Sequence, residues 1–284
     1  MKIFINGHFY EKSEAKISVY DHGLLYGDGV FEGIRFYKGK IFKLQQHVKR
    51  LYKSARAILL EIPMNQEEMA VNIQDTVERN QKENGYIRVV VTRGNGSLGI
   101  DPDKCEKPNI IIIVDILTMY PDDYYENGIE IITSSTLRLS PAAFDPRIKS
   151  LNYLNNILAK LEAKKAGVLE CVMLNSQGYV VECTGDNLFM VRDGELLTPS
   201  AFLGALDGIT KETIIEIAGK TSIPVKEAML TKYDLYNADE IFLSGTGAEL
   251  IPVIKIDGRI ISNGNPGNIY RQILRQFRET VNSL

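Results

Sequence analysis

The chain has 284 residues, 44% of them hydrophobic, and a formal net charge of -3 at pH 7. This length is sufficient for one or two domains with a large core, and the slight acidity, with Lys and Arg scattered along the chain, argues against nucleic acid as a partner. No apolar run approaches the ~20 residues of a membrane span, and the polar N-terminus lacks the apolar core of a signal peptide. The three cysteines are dispersed and form no C-x-x-C pair. We therefore expect a cytoplasmic protein with reduced thiols and no metal site.

The first 118 residues are expected to form one unit of mixed strands and helices. KIFING and ISVYDHG are strand candidates, and VFEGIRFYKGKIFKL predicts two strands joined by a hairpin turn at KGK. Helices are predicted over residues 46–60 and 66–83, and the β-branched stretches YIRVVVTRG and NIIIIVDIL predict central strands. The polar, turn-rich MYPDDYYENG, residues 119–128, is interpreted as a linker.

The pattern beyond the linker again mixes the two kinds of element. Strands are predicted in IEIITSS, ECVMLNSQGYVVEC and NLFMVRDGELLTP, and helices over residues 151–166 and 210–220. EIFLSGTGAELIPVIKIDGRII predicts a strand, a tight turn, a second strand and a hairpin, before a closing helix from about residue 268. Because the alternation is too irregular for a doubly wound parallel sheet, we predict a two-domain α+β architecture.

The stretch RIKSLNYLNNILAK places one lysine in an unusual setting. From Leu151 onward, leucine and isoleucine recur at steps of three and four residues, which predicts a helix with one apolar face. Lys149 stands just before that face. A free lysine, with a pKa of about 10.4, is a poor nucleophile until it is desolvated or bonded as an imine. The commonest use of such a lysine is an imine with pyridoxal phosphate.

Three further features can meet the needs of that cofactor. GIT precedes the helical KETIIEIAGK, and Thr210 is predicted to cap this helix, whose N-terminus attracts a phosphate. The small residues of SGTG, between two apolar strands, allow the backbone to approach a ligand closely. Glu182, in VVECTGDN, is a carboxylate at an apolar strand end and needs a cationic partner if it is buried. Each feature alone also fits an ordinary structural role, so only the combination favours the cofactor.

The ordered blocks YDHGLLYGDGVFEGIRFY, HVKRL, YIRVVVTRGNGSLGIDP, RIKSLNYLNNILAKLEA, GYVVECTGDNLFMV, LDGIT and SGTGAELIPV cover nearly the whole chain. They closely resemble the fold-type IV pyridoxal-phosphate aminotransferases, in particular the branched-chain amino-acid aminotransferase branch. The resemblance implies a small N-terminal domain (1–118), a linker (119–128) and a large C-terminal cofactor-binding domain (129–284), with the cofactor in the cleft between the domains. It also implies a homodimer.

The resemblance further implies a role for each matching residue. Lys149 would form the imine and carry the proton of the 1,3-shift, Glu182 would pair with the pyridine nitrogen, and Tyr153 would hydrogen-bond the ring oxygen. The residues that would hold the phosphate are Arg50, Ile209, Thr210 and Thr246. The substrate side would be lined by Tyr26, Phe31, Gly33, Tyr86 and Arg88. The turn of Gly245, Thr246 and Gly247 would contact both the substrate and the cofactor. Leu98 and Ile100 would also line the substrate side, and their loop resembles one that crosses to the neighbouring subunit.

The implied reaction moves the amino group of Leu, Ile or Val to 2-oxoglutarate, with Arg88 binding the distal carboxylate of glutamate. Two departures from the family pattern concern the fit near the ring: Cys183 and Gly247 stand where the family usually has Gly and Ala. A substrate-side aromatic from the linker is also expected, and Tyr120 is the candidate.

The sequence also admits alternative functions. A D-amino-acid aminotransferase or an aminodeoxychorismate lyase would have the same fold, but the D-specific branch commonly carries an Arg-x-His pair, and no histidine follows His47. A dinucleotide-dependent enzyme built on RGNGSLG is disfavoured because no helix follows those glycines. A ligand-binding protein without catalysis is the remaining alternative.

Overall fold

The computed structural model describes residues 1–117 and 120–284; of the predicted linker, residue 119 lies outside the described residues. The chain forms two compact units. The first unit comprises Met1–Leu117, Ile148–Asn152 and Leu284, and the second comprises Thr118–Arg147 and Tyr153–Ser283. Lys149 thus belongs to the first unit, although it follows the predicted linker in sequence.

The first unit is built on an antiparallel sheet with two long helices. In chain order its elements are β1 (Lys2–Ile5), β2 (His8–Glu11), α1 (His22–Tyr26), β3 (Gly29–Tyr37), β4 (Lys40–Ile41), α2 (Leu44–Ala57), α3 (Gln66–Asn80), β5 (Gly85–Thr92) and β6 (Asn109–Asp115), with a 3-10 turn at Pro102–Lys104 before β6. The sheet order is β2-β1-β6-β5-β3-β4. Its core combines β-branched residues of the central strands with the apolar faces of α2 and α3.

One strand expected in the first unit is absent from its predicted position. ISVYDHG leads into α1 instead, because the Asp21 carboxylate accepts hydrogen bonds from Gly23 N (2.7 Å) and Leu24 N (3.3 Å) and caps that helix. The hairpin at KGK is confirmed, with β3 and β4 paired on either side of the turn.

The second unit contains a nine-stranded mixed sheet. Its elements are α4 (Asp122–Asn127), β7 (Ile129–Thr133), α5 (Leu154–Lys165), β8 (Glu170–Leu174), β9 (Val180–Cys183), β10 (Asn187–Arg192), β11 (Glu195–Pro199), α6 (Ile209–Lys220), β12 (Val225–Ala228), α7 (Lys232–Tyr236), β13 (Glu240–Gly245), β14 (Glu249–Ile256), β15 (Arg259–Ile260) and α8 (Asn268–Asn282), with a 3-10 turn at Ala201–Leu203. The strand order is β12-β11-β10-β13-β14-β7-β8-β9, and β15 pairs with β14. The pairs β11/β12, β14/β7 and β7/β8 are parallel and the others antiparallel.

Part of the predicted linker is therefore structured. The helix α4 occupies most of it, and Tyr120 is only 4% exposed and packs in the apolar core of the second unit. Its ring meets that of Tyr125 edge-on, with centroids 6.3 Å apart. Burial raises the pKa of the Tyr120 hydroxyl, so this side chain acts as a neutral core residue.

Helix α5 differs from its prediction in both start and orientation. It begins at Leu154 rather than Leu151. The predicted apolar face is exposed, and Asn156, Ala159 and Ala163 are buried in its place. The exposed side chains, with their exposed fractions, are Leu154 (68%), Ile157 (52%), Leu158 (47%) and Leu161 (49%); we name these four residues the α5 apolar face.

Across the two described ranges, no helix combines the length and the apolar character that crossing a bilayer would require. Within the same ranges, no group of three or more His, Cys, Asp or Glu side chains is arranged to hold a metal ion.

Candidate active site

The backbone around Lys149 is paired with β3. Lys149 N donates to Ser54 Oγ (3.1 Å), Phe31 N donates to the Lys149 carbonyl (2.9 Å), and Leu151 N donates to the Gly29 carbonyl (2.9 Å). Lys149 therefore lies in a loop segment bonded to β3, five residues before the start of α5. Its side chain is half-buried, and Nζ lies 4.7 Å from the centroid of the Phe31 ring, a distance that permits a cation–π contact.

A second predicted residue of the first unit, Arg50, is held by a buried carboxylate. Arg50 Nε and Nη2 donate to the two oxygens of Glu32 at 2.7 and 2.9 Å, and His47 Nδ1 lies 2.8 Å from Glu32 Oε2. Burial alone would raise the pKa of Glu32, but the Arg50 guanidinium and the His47 ring outweigh burial and hold that pKa below its ordinary value.

The protonation of His47 follows from the same contacts. Burial lowers the pKa of His47, with Glu32 opposing and Arg50 and Lys149 reinforcing the shift. A neutral imidazole then donates through Nδ1 to the ionised Glu32. Nε2 of His47 is buried and has no hydrogen-bond partner among the described residues. Glu32 and His47 were not predicted as site residues; the available signal was an acid inside the apolar strand VFEGIRF and a histidine three residues before an arginine on one helix.

The predicted substrate residues of β3 and β5 lie together on one face of the sheet. Gly33 pairs with Arg88, and the Arg88 guanidinium carbon lies 4.4 Å from the Phe31 ring centroid and 5.5 Å from that of Tyr86. Arg88 Nη2 also donates to the Tyr86 hydroxyl (3.2 Å). A Cβ at Gly33 would overlap that hydroxyl, so only glycine leaves room for it. We name Phe31, Tyr86 and Arg88 the Arg88 cluster.

Tyr26 is linked to the loop that carries Leu98 and Ile100. Gly99 N donates to the Tyr26 hydroxyl (2.8 Å), and the ring of His22, whose Nε2 lies 2.9 Å from the Ser97 carbonyl, meets Tyr26 edge-on. Leu98 and Ile100 are 66% and 85% exposed, so neither contributes to the core of the first unit.

In the second unit, the buried Glu182 has the cationic partner that its burial requires. Arg138 Nε and Nη2 both lie 2.8 Å from Glu182 Oε1. Leu206 N (2.9 Å) and Asn187 Nδ2 (3.3 Å) donate to Oε2. Arg138 was not predicted as a site residue, because nothing in LRLS marks it in sequence.

The start of α6 and the turn after β13 lie next to Glu182. Asn187 joins them, since its Nδ2 donates to the Leu206 carbonyl (3.0 Å) and its backbone is paired with Ser244 of β13. A Cβ at Gly208 would overlap Asn187 Oδ1, and a Cβ at Gly245 would overlap Asp186 Oδ1. A side chain at either position would therefore displace the neighbouring Asn187 or Asp186 side chain.

The predicted cap of α6 is wrong by two residues. Gly208 occupies the N-cap, without a capping side chain, and Thr210 lies in the first turn, where it and Ile209 are buried. A helix start without a capping side chain leaves peptide N–H groups for an anion. Thr246 and Gly247 lie in the turn between β13 and β14, and Tyr153 is the N-cap residue of α5.

Cys183 does not crowd the Glu182 carboxylate. Its side chain packs in the apolar core of the second unit, where burial raises the pKa of the thiol well above its ordinary value. Because successive residues of a strand face opposite sides of a sheet, the thiol and the Glu182 carboxylate point in opposite directions.

The residues present fit pyridoxal phosphate. A carboxylate offers about four acceptor positions, and the Asn187 contact to Oε2 is long at 3.3 Å, so Glu182 retains capacity for a protonated ring nitrogen. The start of α6, which has no capping side chain, provides peptide N–H donors for the phosphate nearby.

Comparison with known proteins identifies the family. The model of the amino-transferase class IV family matches residues 29–256. A Methanocaldococcus jannaschii protein, provisionally named a branched-chain-amino-acid aminotransferase, is 48% identical over 98% of this chain and 96% of its own length. A D-alanine aminotransferase of Listeria monocytogenes is 36% identical over 99% of this chain and 96% of its own length.

Solved structures agree. The Escherichia coli branched-chain amino acid aminotransferase superposes with a TM-score of 0.95 at 34% identity, over 98% of this chain and 93% of its own. A branched-chain amino acid aminotransferase from T.th., solved with pyridoxamine 5'-phosphate, also gives 0.95, at 37% identity, over 99% and 94%. The predicted family, fold class, cofactor and enzyme type are confirmed. The chain belongs to the amino-transferase class IV family, whose members are pyridoxal-phosphate-dependent transaminases.

Proposed function

We propose that this transaminase moves the amino group of a branched-chain L-amino acid, Leu, Ile or Val, to 2-oxoglutarate. The observation that carries the proposal is the Arg88 cluster. Among the described residues, the Arg88 side chain contacts the Phe31 and Tyr86 rings and the Tyr86 hydroxyl, and it forms no salt bridge with an acid. Aromatic walls favour an apolar side chain, and an uncompensated guanidinium favours the distal carboxylate of glutamate. One site would thus accept both substrates.

The cofactor, when bound, supplies a ring that accepts electrons from the substrate carbon. Lys149 Nζ would hold the cofactor through its aldehyde carbon, with loss of water. Once the substrate amine has displaced it there, the freed amine would carry the proton from the substrate Cα to that former aldehyde carbon. The backbone hydrogen bonds around Lys149 fix where its side chain starts. The other proposed cofactor-binding residues are Arg50, Tyr153, Glu182, Ile209, Thr210, Gly245 and Thr246.

Glu182 and Arg50 are proposed to hold the two ends of the cofactor. Glu182 would keep a proton on the ring nitrogen, which stabilises the negative charge that develops during proton removal. Arg50, oriented by Glu32 through two hydrogen bonds, would bind the phosphate. The proposed substrate-binding residues are Tyr26, Phe31, Gly33, Tyr86, Arg88, Leu98, Ile100, Thr246 and Gly247.

We also propose a homodimer, a cytoplasmic location and domain boundaries at residues 118 and 128. The dimer is supported by the α5 apolar face and by Leu98 and Ile100, because a single chain exposes all of these apolar side chains to water. The location is supported by the three cysteines, which are all free thiols.

The proposal is tested by cofactor binding and amino-acid preference measured on one preparation. We expect purified protein with pyridoxal phosphate to be yellow, and borohydride reduction followed by peptide mass spectrometry to place the cofactor on Lys149. L-Leu, L-Ile and L-Val should then yield glutamate from 2-oxoglutarate. Absence of an adduct at Lys149 would contradict the proposed mechanism.

The relative named D-alanine aminotransferase supports a second candidate function. Faster glutamate formation from D-alanine than from L-leucine would favour it over the branched-chain assignment. Turnover of aminodeoxychorismate without any 2-oxo acid acceptor would instead indicate the lyase.

A further inference from the structure

Arg138 is a buried arginine whose guanidinium is paired with Glu182. It is 9% exposed, and its Nε and Nη2 lie 2.8 Å from Glu182 Oε1. Its Nη1 donates to the side-chain oxygens of Asn156 (3.1 Å) and Asn155 (3.3 Å), and its backbone N donates to the Leu174 carbonyl (2.8 Å). The guanidinium is thus fixed from α5, and the backbone that carries it is fixed from β8.

The groups on the other carboxylate oxygen carry no charge. Leu206 N and Asn187 Nδ2 orient Glu182 Oε2, but neither compensates the negative charge of a carboxylate that is 5% exposed. Within the described residues, Arg138 is the cation in salt-bridge contact with Glu182. A buried carboxylate without a compensating charge gains a proton instead of remaining ionised.

We infer that Arg138 is a positioning residue that supplies the counter-charge of the Glu182 carboxylate, so that the proton shared by Glu182 and the ring nitrogen of bound pyridoxal phosphate resides on the nitrogen. The inference rests on the proposed role of Glu182. It adds that Glu182 performs this role only as half of an ion pair. Without the guanidinium, the proton moves from the ring nitrogen to the carboxylate, no other bond changes, and the ring becomes a weaker electron acceptor.

The experiment follows the proton directly. Holoenzyme is prepared with pyridoxal phosphate carrying 15N in the ring, and the 15N chemical shift reports whether the nitrogen is protonated. We expect a protonated nitrogen in the wild type and in Arg138→Lys, which keeps the charge. We expect a neutral nitrogen in Arg138→Met and Arg138→Gln, which remove it. The kcat of the two uncharged variants should fall by about 100-fold, as when one preorganised charge-stabilising group is lost.

A cofactor analogue with carbon in place of the ring nitrogen separates this role from a structural one. If Arg138 acts through the nitrogen, Arg138→Met should weaken binding of pyridoxal phosphate but leave affinity for the analogue within about twofold of wild type. Equal weakening for both would show that Arg138 merely supports the fold, and would overturn the inference.

Arg93 offers a matched control in the first unit. Its Nε and Nη2 donate to the two oxygens of Asp28 at 2.9 and 3.0 Å, in another partly buried pair. Arg93→Met should lower the melting temperature without moving the 15N shift.

The outcomes also distinguish this inference from the proposed function. A wild type that binds no cofactor would contradict the proposed function itself. A wild type with a protonated nitrogen and an Arg138→Met variant that is also protonated would overturn only the role of Arg138. If neither uncharged variant folds, a neutral ring nitrogen in the wild type at pH 7 would still overturn the inference.

Discussion

The backbone of Lys149 is held by hydrogen bonds that do not involve its side chain, so the effect of substituting that side chain can be interpreted directly. The hydrogen bonds around it are made by backbone groups and by Ser54, so a change of its side chain leaves them intact. A functional effect can then be separated from an effect on folding.

Lys149→Ala should therefore abolish transamination while the protein remains folded. Loss of the group that both bonds the cofactor and moves the proton should lower kcat by more than about 1000-fold. Glutamate formation from L-leucine and 2-oxoglutarate measures the effect, with thermal unfolding as the check on folding. Lys53→Ala, at an exposed position of α2, is the control and should resemble the wild type. Near-normal activity of Lys149→Ala would remove this lysine from the mechanism.

The buried pair of Glu32 and Arg50 leads to a prediction about the unfolding free energy and its dependence on pH. Glu32→Gln leaves the Arg50 guanidinium partly buried without its counter-charge, which should lower the unfolding free energy at pH 7 by about 3–5 kcal/mol. The folded-state pKa of Glu32 lies below its ordinary value of 4.5. The stabilisation is therefore complete above pH 4.5 and declines as the pH falls below it, because protonation then favours the unfolded state.

Urea unfolding of the wild type and Glu32→Gln at pH 7 and at several values below pH 4.5 measures this difference. The gap between the two proteins should narrow steadily toward low pH. The exposed Glu83→Gln is the control and should show no gap at any pH. A constant gap would mean that Glu32 stabilises the fold by packing and not by charge.

Some site residues were predictable from the sequence and others were not, and the two groups differ in how far away in sequence their partners lie. Lys149, Glu182 and Arg50 stand in short motifs, so the resemblance could nominate them. Arg138 lies 44 residues from Glu182 in sequence, so no local sequence pattern predicts that these two residues form a pair. The same holds for Glu32, whose partner His47 lies 15 residues away on another element.

At the scale of elements, errors arise where a long-range bond or a polar cap overrides a local pattern. The apolar periodicity predicts α5 from Leu151, but Leu151 N donates to the Gly29 carbonyl, which holds that residue outside the helix. Asp21 similarly turns a predicted strand into the start of α1. The central strands and the long helices were predicted correctly because burial of a continuous apolar pattern dominates their energetics.

The start of α6 carries a prediction with an internal control. Gly208→Ala should push Asn187 away from Glu182 and Leu206, because the added Cβ would overlap its side-chain oxygen. Such overpacking costs about 1–3 kcal/mol, and about 1.4 kcal/mol corresponds to a factor of ten. Affinity for pyridoxal phosphate, measured by fluorescence titration, should fall by about tenfold or more.

Gly219→Ala, in the same helix, is the matched control. A Cβ there would meet no atom within 4 Å, so cofactor affinity should not change and stability should rise by up to about 1 kcal/mol, the helix propensity gained. Equal cofactor affinity in both variants would show that Asn187 does not support the site.

At the scale of the whole molecule, the fold class was predictable but the surface was not. The α+β prediction is confirmed by the class IV fold. The apolar side chains of α5 were expected in the core, and the single chain leaves them exposed instead. Periodicity identifies an apolar face, but it does not tell whether the same chain or another molecule covers that face.

The proposed homodimer makes that face testable. Full burial of each of the four side chains contributes about 1.5–3 kcal/mol, and a buried unpaired charge opposes association strongly. Ile157→Glu should therefore raise the dimer dissociation constant by at least about 100-fold, measured by sedimentation equilibrium. Val71→Glu is the control, because Val71 is a 66% exposed apolar residue on α3, outside the α5 apolar face, and its substitution should leave the dimer intact. A monomeric wild type, or a dimer equally stable in Ile157→Glu, would contradict the assignment of this face to a second copy of the chain.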